Sequence, residues 1–168
     1  MMRHFKATVL FILVLSCLGL AQQPRPMLTI NGAIAAPVTF TQEDWAKLPR
    51  ATVSAVRGHS RDKVQYEGVR LKVVLEKAGV LNAEKPLHGR QLLQYLVVSA
   101  NDGYSVLFSL AELEEATGAT SNVLLADKVG GQPLTEKEVP LQLVVPSDKR
   151  PERFVRMVNT LTVGAPSK

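Results

Sequence analysis

The chain has 168 residues, 20 basic against 15 acidic side chains, a net charge of +5, and 46% hydrophobic content. The mild basic excess is not the footprint of a nucleic-acid-binding protein, and the length suits one domain able to bury a real core. Cys17 is the only cysteine, so a chain cut after Ala21 has no disulfide, no Cys-ligated metal and no thiol nucleophile.

The first 21 residues read as a secretory signal peptide. Arg3 and Lys6 form a positive start, Ala7 to Leu20 is an apolar run, and Gly19 and Ala21 are the small residues that cleavage after Ala21 needs. The run is short for a membrane span, so no stable span is expected after processing. No Arg-Arg pair marks the route for prefolded cargo, which points to Sec-type export to the periplasm or the medium. A lipoprotein anchored at Cys17 is the minor alternative, because Leu15 sits where a smaller residue is usual.

Leu28-Thr29-Ile30 starts a strand that Asn31-Gly32 turns, and Pro37 confines the next extended segment to a sheet edge. Thr41 caps a short helix with Glu43 and Asp44 in its first turn, and Trp45 and Leu48 face the core. Ala51 to Arg57 alternates as a strand and is followed by a polar loop from Gly58 to Lys63. Val64 to Tyr66 resumes a strand, which Gly68 is expected to break. Leu71, Val74, Leu75 and Ala78 then make a helical stripe that Gly79 stops.

Leu92 to Val98, the turn Asn101-Asp102-Gly103 and the alternating Tyr104 to Ser109 predict a hairpin central to a core sheet. Ser109 and Glu112 form a capping box, starting a short helix that runs to near Gly118. Strands are expected over Val123 to Asp127, Leu141 to Val145 and within Phe154 to Val163. Gly130-Gly131 is a turn, and Ser147 to Pro151 is a charged loop.

Two basic clusters stand out. Arg57, His59, Arg61 and Lys63 could receive a phosphate or other small anion, or could be a solvated loop. Lys149, Arg150, Arg153 and Arg156 form the second, and one positive pocket results only if the two meet. His59 and His88 have no partner at metal-ligand spacing, so no metal site is assigned. Tyr104 either lends its hydroxyl to a pocket or packs as core. No Gly-x-Ser-x-Gly elbow supports serine hydrolase chemistry.

Several pieces fall in a familiar order: Leu28-Thr29-Ile30-Asn31-Gly32, Tyr66-Glu67-Gly68-Val69-Arg70-Leu71, Asn101-Asp102-Gly103-Tyr104, Leu143-Val144-Val145-Pro146 and Arg153-Phe154-Val155-Arg156. Over residues 27–163 the chain resembles the oxidoreductase molybdopterin-binding domain family of sulfite-oxidase-like fold, in a small exported bacterial form. The resemblance implies an α+β domain, mostly β with a few short helices, and molybdopterin as the cofactor, its phosphate held among basic side chains. It adds Arg153, in a basic-aromatic pair, as a phosphate contact. Catalytic members bind molybdenum through a cysteine thiolate in the loop after the strand matching Ala51 to Arg57. Here Val53 to His59 has none, which argues against a competent metal centre, because imidazole and hydroxyl do not replace an anionic sulfur. Two functions compete: an oxidoreductase holding an anionic cofactor through Arg57, Arg61 and Arg153, or a non-enzymatic binding module on the same scaffold. Substrate, redox partner and oligomeric state leave no mark on the sequence.

Overall fold

A computed structural model describes residues 26–57, 62–114 and 122–167. The predicted leader, the stretch 58–61 and the predicted helix end near Gly118 lie outside them. Two sheets carry the fold. The first has the order β2-β1-β10-β5-β6, from β1 (Pro26–Gly32), β2 (Val38–Thr41), β5 (Tyr95–Ala100), β6 (Ser105–Ser109) and β10 (Val158–Gly164). In the second, β3 (Ala51–Val56) pairs with β4 (Lys63–Arg70), and β4 with β7 (Leu124–Val129). The far edge of β7 is shared by β8 (Gln132–Pro133) and β9 (Gln142–Val144).

The local signals explain the short helices. Thr41 caps α1 (Gln42–Ala46) through a reciprocal bond with Asp44, its hydroxyl accepting from the Asp44 amide at 3.1 Å. α2 (Leu71–Lys77) buries Leu71, Val74 and Leu75 completely, each worth about 1.5–3 kcal/mol on burial. Ser109 caps a single 3₁₀ turn, Leu110–Leu113, with the expected partner Glu112.

The main core lies between the two sheets, around Leu28, Ile30, Leu75, Leu96, Phe108 and Leu161. A smaller cluster, including Val53, Tyr66, Leu124, Ala126 and Val144, covers the opposite face of the second sheet. β7 and β9 are therefore buried on both faces, which explains the unbroken apolar runs Val123 to Ala126 and Leu143 to Val145. α1 is fastened to β7 by one carboxylate: Asp127 accepts from Trp45 Nε1 at 2.7 Å and from both Arg50 amino groups at 2.6 and 2.5 Å.

Three expectations need correction. The hairpin Asn101-Gly103 forms, but its second strand, β6, is an edge strand, and Leu107 on it is exposed. Leu92 and Leu93 belong to an exposed 3₁₀ turn, Gly89–Leu93, rather than to the strand, because the chain must bend there before Gln94 accepts from the Leu110 amide. Gly68 does not end its strand. It lets β4 continue past β7 at a register shift, where a Cβ would fall 2.0 Å from the Leu125 carbonyl oxygen.

Gly68→Ala is accordingly expected to cost more than about 3 kcal/mol, since two backbones must move apart. Gly79→Ala, at φ +70° with open space around it, should cost only about 1–2 kcal/mol from left-handed backbone strain. Urea unfolding midpoints of the two variants check the ranking.

Candidate functional site

The chain passes from the second sheet back to the first between Val145 and Val158, and this crossing builds the site. Its C-terminal half is stitched to the segment before β9. The Leu143 amide donates to Val155 at 2.7 Å, Met157 to Glu138 at 3.1 Å, and Val158 to Leu141 at 2.8 Å. The crossing is thereby laid beside the end of β3, where Arg57 stands. Between them opens a cleft of about 1000 Å³ lined by Arg57, Lys149, Arg150 and Arg156 above Gln142 and Phe154. Arg57 of the first basic cluster thus meets Lys149, Arg150 and Arg156 of the second.

The charges around the cleft are unevenly paired. Arg57 Nη2 donates to Glu138 Oε1 at 3.2 Å, with half of the arginine side chain still exposed. Glu138 is buried and also accepts from the Thr135 amide at 3.0 Å and hydroxyl at 2.7 Å. Burial pushes its pKa up, but the Thr135 hydrogen bonds and the Arg57 guanidinium outweigh this and hold it below the usual carboxylate range. Lys149, Arg150 and Arg156 are exposed and have no carboxylate partner among the described residues. Glu152 supplies one further carboxylate to the lining.

Two buried polar atoms in this part of the fold have no hydrogen-bond partner. Gln142 is 6% exposed, and its Oε1 accepts from no donor. The Tyr66 hydroxyl, in a side chain fully buried against the edge of Phe154, is also unpartnered. Burial raises the Tyr66 pKa, with Arg57 and Glu138 pulling in opposite directions, so the phenol stays neutral.

Of the predicted site residues, Arg57 and Arg150 line the cleft, and His59 and Arg61 lie outside the described residues. Lys63 stands at the start of β4 and contributes nothing to the lining. Arg153 also lies outside the lining. Its guanidinium grips Asp148 with Nε at 2.8 Å and Nη2 at 2.6 Å, reaches Glu112 at 3.5 Å, and lies 4.7 Å above the Phe108 ring. Those partners satisfy it, and the bond to Asp148 raises its pKa further. Tyr104 is neither core nor lining: half-exposed, it donates to the Glu152 carbonyl at 2.6 Å and pins the crossing to the hairpin. Lys149 and Arg156, named in sequence only as cluster members, take the places expected of Arg153 and Tyr104. Gln142 has no signal in the sequence, because a lone amide in an apolar run carries no motif.

Two sheets sharing a core, with a cation-lined cleft at the crossing between them, define a fold of the sulfite-oxidase type. The profile of the oxidoreductase molybdopterin binding domain matches residues 22–165, and the chain belongs to that family. A solved structure, the sulfane dehydrogenase SoxCD from Paracoccus pantotrophus, superposes with a TM-score of 0.61 at 26% identity, over 81% of this chain and 37% of that one. The chain thus spans little more than a third of that protein's chain. No curated protein matches it. No helix among the described residues is long and apolar enough to cross a membrane.

Two measurements test this geometry. Because the folded pKa of Glu138 is lowered from 4.5, its contribution to stability is complete above that value. The contribution is lost as pH falls through the folded pKa. The loss of unfolding free energy between pH 6 and pH 3 should therefore be smaller in Glu138→Gln than in the parent, and equal losses would dismiss the pairing. Separately, Arg153→Ala and Arg153→Lys should both lower stability by about 1 kcal/mol, since lysine cannot make the two-pronged grip. Each should leave any response to phosphate intact, measured as urea midpoints with and without the anion.

Proposed function

We propose that this protein is an exported member of the family that binds a phosphate-bearing organic anion of the pterin class in the cleft, without a thiolate-anchored metal. The observation that carries this reading is the meeting of Arg57, Lys149, Arg150 and Arg156 around one cleft. Three cations without carboxylate partners repel one another when the cleft is empty, so an anion placed among them gains from each. A volume near 1000 Å³ holds an organic molecule with its phosphate rather than a bare oxyanion.

The lining fits the organic part of molybdopterin and not its metal. Arginine forks suit a phosphate. Nothing on the cleft supplies sulfur: the chain's only cysteine is Cys17, in the leader. With no thiolate to hold and tune molybdenum, no redox step is assigned, and the function is binding on an oxidoreductase scaffold. The leader's composition supports export of the unfolded chain, so the ligand would be acquired outside the cytoplasm.

A ligand that prefers the folded state raises its melting temperature by mass action. Inorganic phosphate and a pterin monophosphate should each raise it for the protein cut after Ala21. The double variant Arg150→Ala/Arg156→Ala should lose at least about tenfold in affinity for both, equivalent to about 1.4 kcal/mol. Native mass spectrometry of the exported protein should find a chain starting at Gln22 without molybdenum. A stoichiometric metal, or an anion response untouched by the double variant, would refute the reading.

A further inference from the structure

We propose that Glu138 is a positioning residue for anion binding, holding Arg57 on one wall of the cleft opposite Lys149, Arg150 and Arg156 on the other. The proposal rests on the anion-binding reading above and adds the device that sets the spacing of the cations. Arg57 follows the end of β3, whereas the other three cations belong to the crossing, so no local geometry fixes the distance between the two walls. Glu138 touches both. Its carboxylate Oε1 accepts from Arg57 Nη2 at 3.2 Å, and its backbone carbonyl accepts at 3.1 Å from the amide of Met157, the residue after Arg156.

Glu138 is itself held firmly. Its Oε2 accepts from the Thr135 amide at 3.0 Å and hydroxyl at 2.7 Å, its own amide donates to the Thr135 carbonyl at 2.9 Å, and only 8% of the residue is exposed. A buried carboxylate is expensive to leave without its cation, so an arriving anion does not draw Arg57 away from it. Nor does it need to. A guanidinium carries five N–H donors in a rigid fork, and the bond to Oε1 occupies one. An arginine already tied in place loses less freedom on gripping a ligand than a free one. Charge alone predicts the reverse, because a carboxylate beside a group of cations weakens their hold on an anion. The two roles therefore differ in sign.

The test measures the affinity of the chain cut after Ala21 for inorganic phosphate by calorimetry, in the parent, Glu138→Gln, Arg57→Ala and the double variant. Glutamine removes the opposing charge but has one acceptor oxygen for two sets of donors, so Arg57 or Thr135 must face an NH₂ group. Glu138→Gln should bind phosphate about fivefold more weakly than the parent, the cost of immobilising a free arginine. Unchanged or tighter binding would overturn the proposal. In the Arg57→Ala background the same change should no longer weaken binding, since no guanidinium remains to be held. A loss that persists there would belong to the fold and would also overturn it. Thr135→Val removes one donor to Oε2 and alters no charge; should Glu138→Gln not fold, weaker phosphate binding in Thr135→Val supports the proposal and unchanged binding refutes it. If Arg150→Ala/Arg156→Ala loses phosphate while Glu138→Gln does not, the anion-binding reading stands and the role of Glu138 falls. If the parent binds no phosphate, both fall.

Discussion

The last strand of the chain lies in the middle of its first sheet, and the rest of the structure depends on that placement. β10 pairs in parallel with β1, the first strand, and antiparallel with β5. Without β10, the pair β1–β2 and the pair β5–β6 would share no hydrogen bonds, and β10 joins them into one sheet. Val158, Leu161 and Val163 supply the buried side of that joint. To reach it, the chain must leave the second sheet after β9 and cross over. The crossing is the site. Function is thus housed in the segment whose position the topology fixes most strictly.

The crossing is held by bonds that consume some of its polar groups and leave others free. Met157 takes a left-handed conformation at φ 54°, a strain of about 1–3 kcal/mol for a residue with a side chain. It is held there by its amide on Glu138 and by its carbonyl, which accepts from Asn101. Arg153 turns onto Asp148 and Phe108, and Tyr104 fixes the Glu152 carbonyl. With Arg153 committed inward, Lys149, Arg150 and Arg156 are left facing the cleft. One arginine braces the loop so that its neighbours can present their charge.

Much of this was legible in the sequence where the signal was local. Thr41 and Asp44, Ser109 and Glu112, and the Leu71 stripe ending at Gly79 all form the elements their spacing implies, because each depends on neighbours within a turn or two. The strand order was not legible. Nothing in Tyr104 to Ser109 says that β6 has no partner on its far side, since its apolar alternation would serve a central strand equally well. Gly68 is ambiguous for a related reason: a glycine that admits a neighbouring backbone looks, in one dimension, like a glycine that ends a strand. The two basic clusters were visible, but which of four cations turns inward depends on a crossing whose course is set by β10. The exchange of Arg153 for Arg156 is therefore a tertiary result.

A scaffold that had kept only its fold would have no use for the arrangement at the cleft. An uncompensated buried amide oxygen costs about 1–3 kcal/mol, and grouping like charges adds repulsion that water and salt only partly screen. Neither cost is needed to hold the sheets together, because the apolar cluster around Tyr66, Leu124 and Val144 would close at least as well over a methionine at position 142. Natural domains are stable by only about 5–15 kcal/mol, so a penalty of this size bears on whether the chain stays folded. Binding an anion would remove the repulsion, coupling occupancy of the cleft to the stability of the whole domain. The absent thiolate bears on chemistry at a metal, whereas the cations bear on holding a molecule. On physical grounds these are separable, and only the second is provided for in the residues that line this cleft.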